Sequence, residues 1–352
     1  MFGPGEEGVT PCLTPNNRTN WDTAIDALGF TINSYTIKIS FPRVKVDAIK
    51  SLLREQWPVT RRQAKVREVL IMARKLWKLT YVVRAGKYFL WRLLRLTGLH
   101  DSRDSHNQNN TVELGRKFHA DLLFWKRAID NELLLEGEAL RAPCDTAIKR
   151  PANRHYLSDA SFEPVGEFCV GKKVFWRYDL PKELTAELKR KADCRETCTI
   201  TINLLELLGM VVTAWVMLEL VGDRRDGEGD PILIRGDNMA AVSWVTRCGS
   251  ARDKRPCLLM RMLGRPEIAG GWNHTAKHIP RVQNTLAGGV SRWPRSRLAD
   301  EVRELTNSSD WYEQPIGTRG SGIFAIVLQT KNIRSKHDEP LWNIMMNEAE
   351  HG

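Results

Sequence analysis

Residues 154–179 read RHYLSDASFEPVGEFCVGKKVFWRYD, and this stretch decides the fold. It holds three short runs of the kind that forms strands, and turn signals at residues 164–166 and at Gly171 separate them. An apolar run follows over 202–220 and predicts a buried helix. Three strands followed by a helix indicate an α/β domain in which helices cover a sheet.

Strands and helices alternate beyond this apolar run. The run PILIRGD at 231–237 is typical of a buried strand, and a further strand is predicted over 275–279. Helices are predicted around 238–247 and 257–263. The pattern predicts a mixed five-stranded sheet with flanking helices, in a domain that we place at residues 151–295.

Three acidic residues have an unusual placement in this domain. Asp159 ends the first strand, Asp237 ends the buried strand, and Glu206 lies inside the apolar helix. A carboxylate in such a helix is costly unless it is paired, protonated or bound to a cation. Taken singly, each acid has a simpler explanation. Asp237 could be the N-cap of the next helix, Asp159 could form an Asx turn with Ser161, and Glu206 could point outward to solvent at a wet edge of the fold. Together the three acids fit a site for Mg²⁺, with Mn²⁺ as the other candidate ion.

Positive charge is concentrated in one segment. The 352 residues include 53 Lys and Arg against 42 Asp and Glu, while residues 43–100 hold 15 against 3. Apolar residues recur there at helical spacing, which predicts helices over 66–83 and 85–97. The segment is either a solvated basic surface or a face that binds the phosphates of a nucleic acid. The basic side chains that we assign to this face are Arg61, Arg62, Lys65, Arg74, Lys75 and Lys78.

Aromatic side chains accompany these charges in the same segment. They are Trp77, Tyr81, Tyr88 and Trp91. Such rings stack on the bases or sugars of a nucleic acid when they are exposed. At helical spacing they are more often part of the core, so both interpretations stand at this point.

The remaining segments have weaker patterns. Residues 1–20 are rich in Gly, Pro and Asn and are predicted to be disordered, and residues 21–150 are predicted to be a separate, mostly helical region. Within that region, residues 29–42 alternate like a strand pair and a helix is predicted over 112–140. Residues 296–352 are predicted to be a tail or linker with one short helix.

The sequence predicts an intracellular protein of the cytoplasm or nucleus. Its N-terminus lacks the basic and apolar regions of a signal peptide. The longest apolar stretch, 204–220, contains two glutamates and falls short of the roughly 20 residues that a membrane span needs. Seven scattered cysteines without a secretory signal indicate free thiols in a reducing compartment.

Four motifs of this sequence follow one another in the order of a known family. They are S-D-A-S at 158–161, L-L-E-L-L at 204–208, G-D-N-x-A-A-V at 236–242 and H-x-P-x-x-x-N-x-x-A-x-x-x-S-R-W at 278–293. In this order they resemble the ribonuclease H domain of retrotransposon polyproteins. The resemblance implies a ribonuclease H-like fold and hydrolysis of the RNA strand in RNA–DNA hybrids.

The resemblance also implies roles for individual residues. Asp159, Glu206 and Asp237 would be catalytic and would hold the metal ion. His278 would assist product release, and Asn238, with the helix after it, would contact the backbone of the hybrid. A hybrid-specific nuclease recognises 2′-hydroxyl groups, which side chains reach in a wide, shallow minor groove. The implied partner is an RNA–DNA hybrid or duplex, and no membrane is implied.

The upstream region resembles another part of the same polyproteins. A-L-G-F-x-I at 27–32, I-S-F-P-x-x-K at 39–45 and the two basic helices resemble the thumb and connection that follow the palm of a reverse transcriptase. The source would be an LTR or DIRS-like retroelement. Reverse transcription needs an aromatic-x-Asp-Asp turn, and this sequence contains no two adjacent Asp residues. We therefore expect no DNA polymerisation from this chain alone.

The last motif departs from the family at one position. The family reads N-x-x-A-D-x-x-S-R, in which Asp is the fourth acid, and here Gly288 stands in its place. Glycine supplies no oxygen ligand, so we expect looser ion binding and impaired cleavage. The alternatives are a nucleic-acid-binding remnant without catalysis, held to polyanions by residues 43–100, and a decayed reading frame without a selected function.

Overall fold

The computed structural model describes most of the chain between residues 24 and 329, and the structural statements below refer to this described part. It comprises residues 24–27, 29–33, 35, 38–97, 108–130, 135–136, 139–143, 151–152, 154–194, 196, 198, 200–221, 230–248, 254–270 and 272–329. The predicted disordered start at 1–20 and the last part of the predicted tail, 330–352, lie outside the described residues.

The first half of the chain builds antiparallel sheets and four helices. Its strands are β1 (Ala24–Ala27), β2 (Phe30–Asn33), β3 (Lys38–Pro42), β4 (Gln63–Lys65), β5 (Thr111–Glu113), β6 (Leu135–Glu136) and β7 (Ala139–Pro143). Its helices are α1 (Arg43–Ser51), α2 (Val66–Leu79), α3 (Lys87–Leu96) and α4 (Arg116–Asp130). One sheet has the strand order β1-β2-β3-β7-β6, and β4 pairs with β5 in a second. The predicted strand pair at 29–42 corresponds to β2 and β3.

The prediction of one helix over 112–140 is wrong. The structure has β5, α4, β6 and β7 within these residues. The apolar residues that suggested the helix, Phe118, Leu122 and Trp125, are all buried in α4. The helical repeat of apolar residues is therefore confined to α4. Beyond it the chain reverses, and β7 pairs antiparallel with β3.

The second half of the chain builds a mixed sheet that helices cover. Its strands are β8 (Arg154–Ala160), β9 (Pro164–Cys169), β10 (Val174–Asp179), β11 (Asp230–Gly236), β12 (Trp272–His278) and β13 (Tyr312–Glu313). Its helices are α5 (Lys182–Asp193), α6 (Ile202–Val221), α7 (Met239–Arg247), α8 (Lys254–Gly270), α9 (Thr285–Val290), α10 (Leu298–Thr306) and α11 (Thr318–Gln329). The strand order is β12-β11-β8-β9-β10-β13. The predicted α/β class is confirmed, and the short strand β13 is added to the five that were predicted.

Strand directions bring three strand ends to one edge of this sheet. β8, β9 and β10 are antiparallel neighbours, whereas β11 runs parallel to both β8 and β12. In the register, Ser158 pairs with Gly236, and Gly236 pairs with His278. Parallel strands end at the same edge, so Asp159 and Asp237, each one residue further along, meet there.

Helix α6 forms the centre of the core. Residues 204–218 are all buried, because α6 packs on β8 and β9 and is covered by α7, α8 and α11. The indole Nε1 of Trp215 donates a hydrogen bond to the carbonyl oxygen of Met262 in α8, at 2.9 Å. Among the described helices, α6 alone has the length and hydropathy of a membrane span, but 83% of its apolar window is buried inside the protein. Such burial is that of a core helix.

Residues 298–329 differ from the predicted tail. Helix α10 packs on α9, β13 pairs with β10, and α11 packs on α6. The ring of Phe324 in α11 is fully buried and stacks on Tyr178, with ring centroids 3.8 Å apart. The glycine-rich run at 317–322 suggested a linker, but a Cβ at Gly320 would lie 2.6 Å from Ile316 and 3.3 Å from Val212 of α6. Its glycine allows a close helix contact.

The two halves of the chain share one continuous hydrophobic core. Helix α8 lies between them, and its Glu267 accepts a hydrogen bond from the hydroxyl of Tyr88 in α3, at 2.9 Å. Arg84 donates to the carbonyl oxygen of His274 in β12, at 2.6 Å. The two sequence regions on either side of the predicted boundary near residue 150 therefore pack against each other.

Candidate metal centre

Asp159 is held at the edge of the sheet by side chains of α9 and the turn that follows it. The residue is 2% exposed. Its Oδ2 accepts a short hydrogen bond from the hydroxyl of Ser291 and a second from Nη2 of Arg292, at 3.2 Å. Burial raises the pKa of Asp159, and the Ser291 hydrogen bond and the Arg292 charge partly offset that rise. The carboxyl group of Asp159 is thus fixed in position by two donors from the α9 segment.

Glu206 reaches the same place from the buried helix α6. One carboxylate oxygen, Oε1, accepts a hydrogen bond from the backbone N–H of Ala160, at 3.1 Å. The other, Oε2, is buried without a hydrogen-bond partner among the described residues. Burial and the neighbouring Asp159 carboxylate raise the pKa of Glu206 to about 9. An unpartnered buried oxygen is costly, which points to a missing cation or proton.

Asp237 completes the group from the end of β11, where it is half-buried. One ligand oxygen from each of Asp159, Glu206 and Asp237 lies within 4.8 Å of the other two. Three carboxylates from separate elements therefore converge on one point, which could hold a metal ion. Oxygen-only ligands suit a hard divalent cation, and the unpartnered oxygen of Glu206 gives such an ion a ligand that the fold leaves free.

The structure overturns the simpler explanation of each acid. Asp237 does not cap α7, because Asn238 does: its Oδ1 accepts from the backbone N–H groups of Ala240 and Ala241. Asp159 forms no Asx turn with Ser161, whose backbone N–H instead donates to the carbonyl oxygen of Pro164, at 2.9 Å. Glu206 is not at a wet edge, since it is 3% exposed.

Gly288 faces the Asp159 side of the cluster from α9. The residue is buried, and a Cβ built on it would lie 3.7 to 3.9 Å from the guanidinium atoms of Arg292. These are ordinary contact distances. The position therefore has room for the start of a side chain.

Three residues of the last motif have structural roles that sequence reasoning did not assign. Nδ2 of Asn284 donates to the carbonyl oxygen of Ser158, at 2.8 Å, and so ties the start of α9 to β8. Ser291 and Arg292 hold Asp159 from the other end of this segment. Their spacing in the motif was the only signal in the sequence. Ser291 and Arg292 follow Asn284 by seven and eight residues.

His278 and Asn238 lie at the same edge of the sheet with different surroundings. His278 ends β12 and is exposed. Asn238 is partly buried, and besides capping α7 its Nδ2 donates to Oδ1 of Asn203, at 2.8 Å. The amide of Asn238 is thus used within the fold. Contact with nucleic acid stays a prediction for the helix that it caps, as product release does for His278.

The basic residues of the first half are divided between two roles. Arg61 is engaged in the fold: it pairs with Glu68 at 2.7 Å, and its guanidinium lies over the ring of Trp57. The other five assigned residues have exposed side chains. They are Arg62, Lys65, Arg74, Lys75 and Lys78.

The aromatic residues of the same segment are likewise divided. Trp77 and Tyr81 are 49% and 42% exposed and lie beside the basic residues of α2, whereas Tyr88 is buried. Arg67, Arg74 and Lys78 recur along one side of α2 at helical spacing. We call this exposed side of α2, with Lys75, Trp77 and Tyr81, the basic face.

Comparisons with protein-family models, curated proteins and solved structures gave no match to this chain.

Proposed function

We propose that this chain is a retroelement-derived ribonuclease H-like protein that hydrolyses RNA in RNA–DNA hybrids with a divalent metal ion. The observation that carries the proposal is the convergence of Asp159, Glu206 and Asp237 within 4.8 Å. The three acids are far apart in sequence, and each belongs to one of the motifs that carry the resemblance. The unpartnered oxygen of Glu206 supports an ion at this point rather than a purely structural cluster.

The arrangement of the sheet supports the ribonuclease H-like interpretation of the fold. Three sequential antiparallel strands precede two strands that are parallel to the first and connected by helices. The acids lie where the parallel strands β8 and β11 end. In open α/β sheets, ligands bind beyond the carboxyl ends of the strands. The location of the acids is therefore one at which open α/β sheets bind ligands, and the half-buried Asp237 is its most exposed carboxylate.

The proposed reaction is hydrolysis of a phosphodiester bond. A water oxygen attacks phosphorus, the bond from phosphorus to the leaving ribose oxygen breaks, and that oxygen takes up a proton. A bound Mg²⁺ or Mn²⁺ supplies activation of the water and stabilisation of the leaving oxygen. Asp159, Glu206 and Asp237 would hold the ion, and Ser291 keeps the Asp159 carboxylate oriented.

The glycine at position 288 is expected to limit the rate of cleavage. Two-ion catalysis clamps the attacking and the leaving oxygen between two cations, each of which needs ligands. Three carboxylates suffice for one well-held ion, but the second would lack the oxygen that an acid at position 288 supplies. We expect cleavage that is slow or that requires high concentrations of the ion.

A hybrid-cleavage assay tests the proposed function. The full-length protein is incubated with an RNA–DNA hybrid whose RNA strand is labelled, in Mg²⁺, in Mn²⁺ and in EDTA. We expect slow metal-dependent cleavage of the RNA strand and its loss in Asp159→Asn. The matched control is Asp310→Asn, an exposed aspartate that pairs with Lys173 on the surface. Equal cleavage by Asp159→Asn and wild type would refute the catalytic assignment.

The alternative function is binding of nucleic acid without cleavage. Two observations favour it, namely the absence of an acid at Gly288 and the basic face of α2. Binding through phosphates weakens steeply as salt concentration rises, because counterions are released. Salt-sensitive hybrid binding, with no cleavage in any of the metal conditions above, would favour this alternative over the nuclease.

A further inference from the structure

Arg292 lies directly over the candidate metal centre. Its Nη2 is 3.2 Å from Oδ2 of Asp159, and its side chain is 47% exposed whereas that of Asp159 is 3% exposed. The guanidinium therefore covers the solvent side of a buried carboxylate. It also lies 3.7 to 3.9 Å from the place that a Cβ at Gly288 would take, so the missing side chain leaves open space beside it.

The contact with Asp159 uses few of the hydrogen-bond donors of Arg292. A guanidinium has five N–H donors in a rigid fork, and within the described residues its hydrogen bond is the single one to Asp159. Asp159 is already held by the hydroxyl of Ser291. The guanidinium is itself half exposed, so water screens its attraction to Asp159. Holding Asp159 therefore leaves most of the donors of Arg292 unused.

We propose that Arg292 is a phosphate-positioning residue that rests on Asp159 until a nucleic acid strand binds. This inference depends on the proposed function, because it assumes that the acidic triad holds a divalent ion and that a phosphodiester lies against it. A cation bound by Asp159 repels the guanidinium and takes over its oxygen partner. A phosphate at the ion then offers the fork of Arg292 two oxygens in bidentate geometry.

The proposal predicts two opposite effects of removing the charge. Without nucleic acid, Arg292 competes with the ion for Asp159, so Arg292→Gln should bind Mn²⁺ about threefold more tightly. With nucleic acid, a charge-assisted contact is lost, so the same variant should bind the hybrid about tenfold more weakly. A residue with a merely structural role would weaken both kinds of binding or neither.

The experiment measures both affinities on the full-length protein. Mn²⁺ binding is followed by isothermal titration calorimetry without nucleic acid. Binding of a fluorescent RNA–DNA hybrid is followed by anisotropy in Ca²⁺ over a series of salt concentrations, and we expect the plot of log affinity against log salt to become less steep by about one. The matched control is Arg303→Gln, an exposed arginine on α10 with one acidic neighbour at 3.4 Å.

Three results would overturn the inference. They are unchanged or weaker Mn²⁺ binding by Arg292→Gln, an unchanged salt slope for the hybrid, and the same behaviour in the Arg303→Gln control. Arg292→Lys, which keeps the charge, should retain the salt slope and lose part of the affinity because lysine cannot bind in a bidentate way. The Arg292→Lys variant therefore tests the proposal even if Arg292→Gln destabilises the protein.

The same data separate failure of the inference from failure of the proposed function. Wild-type protein that binds no Mn²⁺ would refute the metal site, and the inference would fall with it. Wild-type protein that binds both Mn²⁺ and hybrid, with Arg292→Gln indistinguishable from the control, would refute the role of Arg292 alone.

Discussion

Glu206 is a buried carboxyl group to which the described part of the fold offers no cation as an ion-pair partner. Its helix is apolar on all sides, and its Oε2 has no partner among the described residues. The raised pKa, about 9, means that the metal-free protein holds a proton there at neutral pH. A divalent ion must displace that proton, because only the carboxylate is a ligand. Ion binding and proton release are therefore coupled at this residue.

The first prediction concerns the pH dependence of stability without metal. The pKa of Glu206 is higher in the folded protein than its ordinary value of 4.5, so the stability that its proton contributes is complete below about pH 4.5 and is lost as the pH rises towards 9. The free energy of unfolding should fall by up to about 1.4 kcal/mol per pH unit across this range. Chemical denaturation in EDTA at several pH values measures it.

The variant for this prediction is Glu206→Gln, which carries no titratable proton. Its stability should depend less on pH than that of the wild type. A residual fall is expected, since burial also raises the pKa of Asp159 and of Glu167 on β9. Identical pH profiles for variant and wild type would contradict the assignment of this proton to Glu206.

A second prediction concerns Gly288. An aspartate fits there because the first atom of its side chain would be at ordinary contact distance from Arg292. Gly288→Asp should lower the Mg²⁺ concentration needed for half-maximal hybrid cleavage, because it restores an oxygen ligand beside Asp159. Gly288→Asn, of the same size but without charge, is the control and should have a smaller effect. No difference between Gly288→Asp and wild type would place Gly288 outside the metal site.

At the scale of elements, α2 has two faces with separate roles. Residues such as Val69, Met72 and Leu76 are fully buried and attach the helix to the core. The opposite side carries the basic face, which includes Trp77 at 49% exposure. Exposed aromatic rings among cations are the combination that binds nucleic acid by stacking and by phosphate contacts. The helix can therefore lose its basic residues without losing its packing.

The third prediction follows from this separation. Changing Arg74, Lys75 and Lys78 together to alanine should leave the melting temperature nearly unchanged. Hybrid binding should weaken, and the slope of log affinity against log salt should become less steep by up to about three, because up to three phosphate contacts are lost. The control removes three exposed basic residues from α5, namely Lys182, Lys189 and Arg190. Equal effects of the two triple variants would show that net charge, and not this face, governs binding.

At the scale of the whole molecule, buried ion pairs join the two halves of the chain. Asp121 of α4 lies 3.1 Å from Arg261 of α8 and 3.5 Å from Arg92 of α3. The Asp121 side chain is 3% exposed. Two arginines contact this buried carboxylate, and removal of one partner from a buried pair leaves charge that is less well compensated. The region with the basic face is thereby fixed against the half that contains the candidate metal centre.

The fourth prediction concerns Asp121. Asp121→Asn should lower the free energy of unfolding by about 3 to 5 kcal/mol, because Arg92 and Arg261 both lose a buried carboxylate partner. Asp47→Asn is the control: its exposed pair with Arg43, at 3.1 Å, should contribute less than about 1 kcal/mol. Chemical denaturation gives both values. A small effect of Asp121→Asn would indicate that water reaches the arginines and that the halves are less tightly joined.

Local sequence patterns were enough for much of the fold and for the membership of the acidic site. The strands β8, β9 and β10 follow from short runs between turn signals, and α2 follows from its helical repeat of apolar residues. These patterns gave wrong predictions where a single sequence signal was taken to describe a longer or a different element than the one that forms. The apolar repeat of α4 was extended over β6 and β7, and the glycines at 317–322 suggested a linker where they allow α11 to approach α6.

The sequence by itself determined which residue types are available: an acid at the end of each of two strands and one inside an apolar helix, a glycine at position 288 and a concentration of basic residues at 43–100. Only the tertiary structure decided how they are used. It brought Asp159, Glu206 and Asp237 within 4.8 Å, gave the N-cap of α7 to Asn238, and placed Arg292 on Asp159. The physical reason is that periodicity reports burial along one element. Strand register and helix packing bring together residues from distant parts of the chain, and no local pattern encodes those distances.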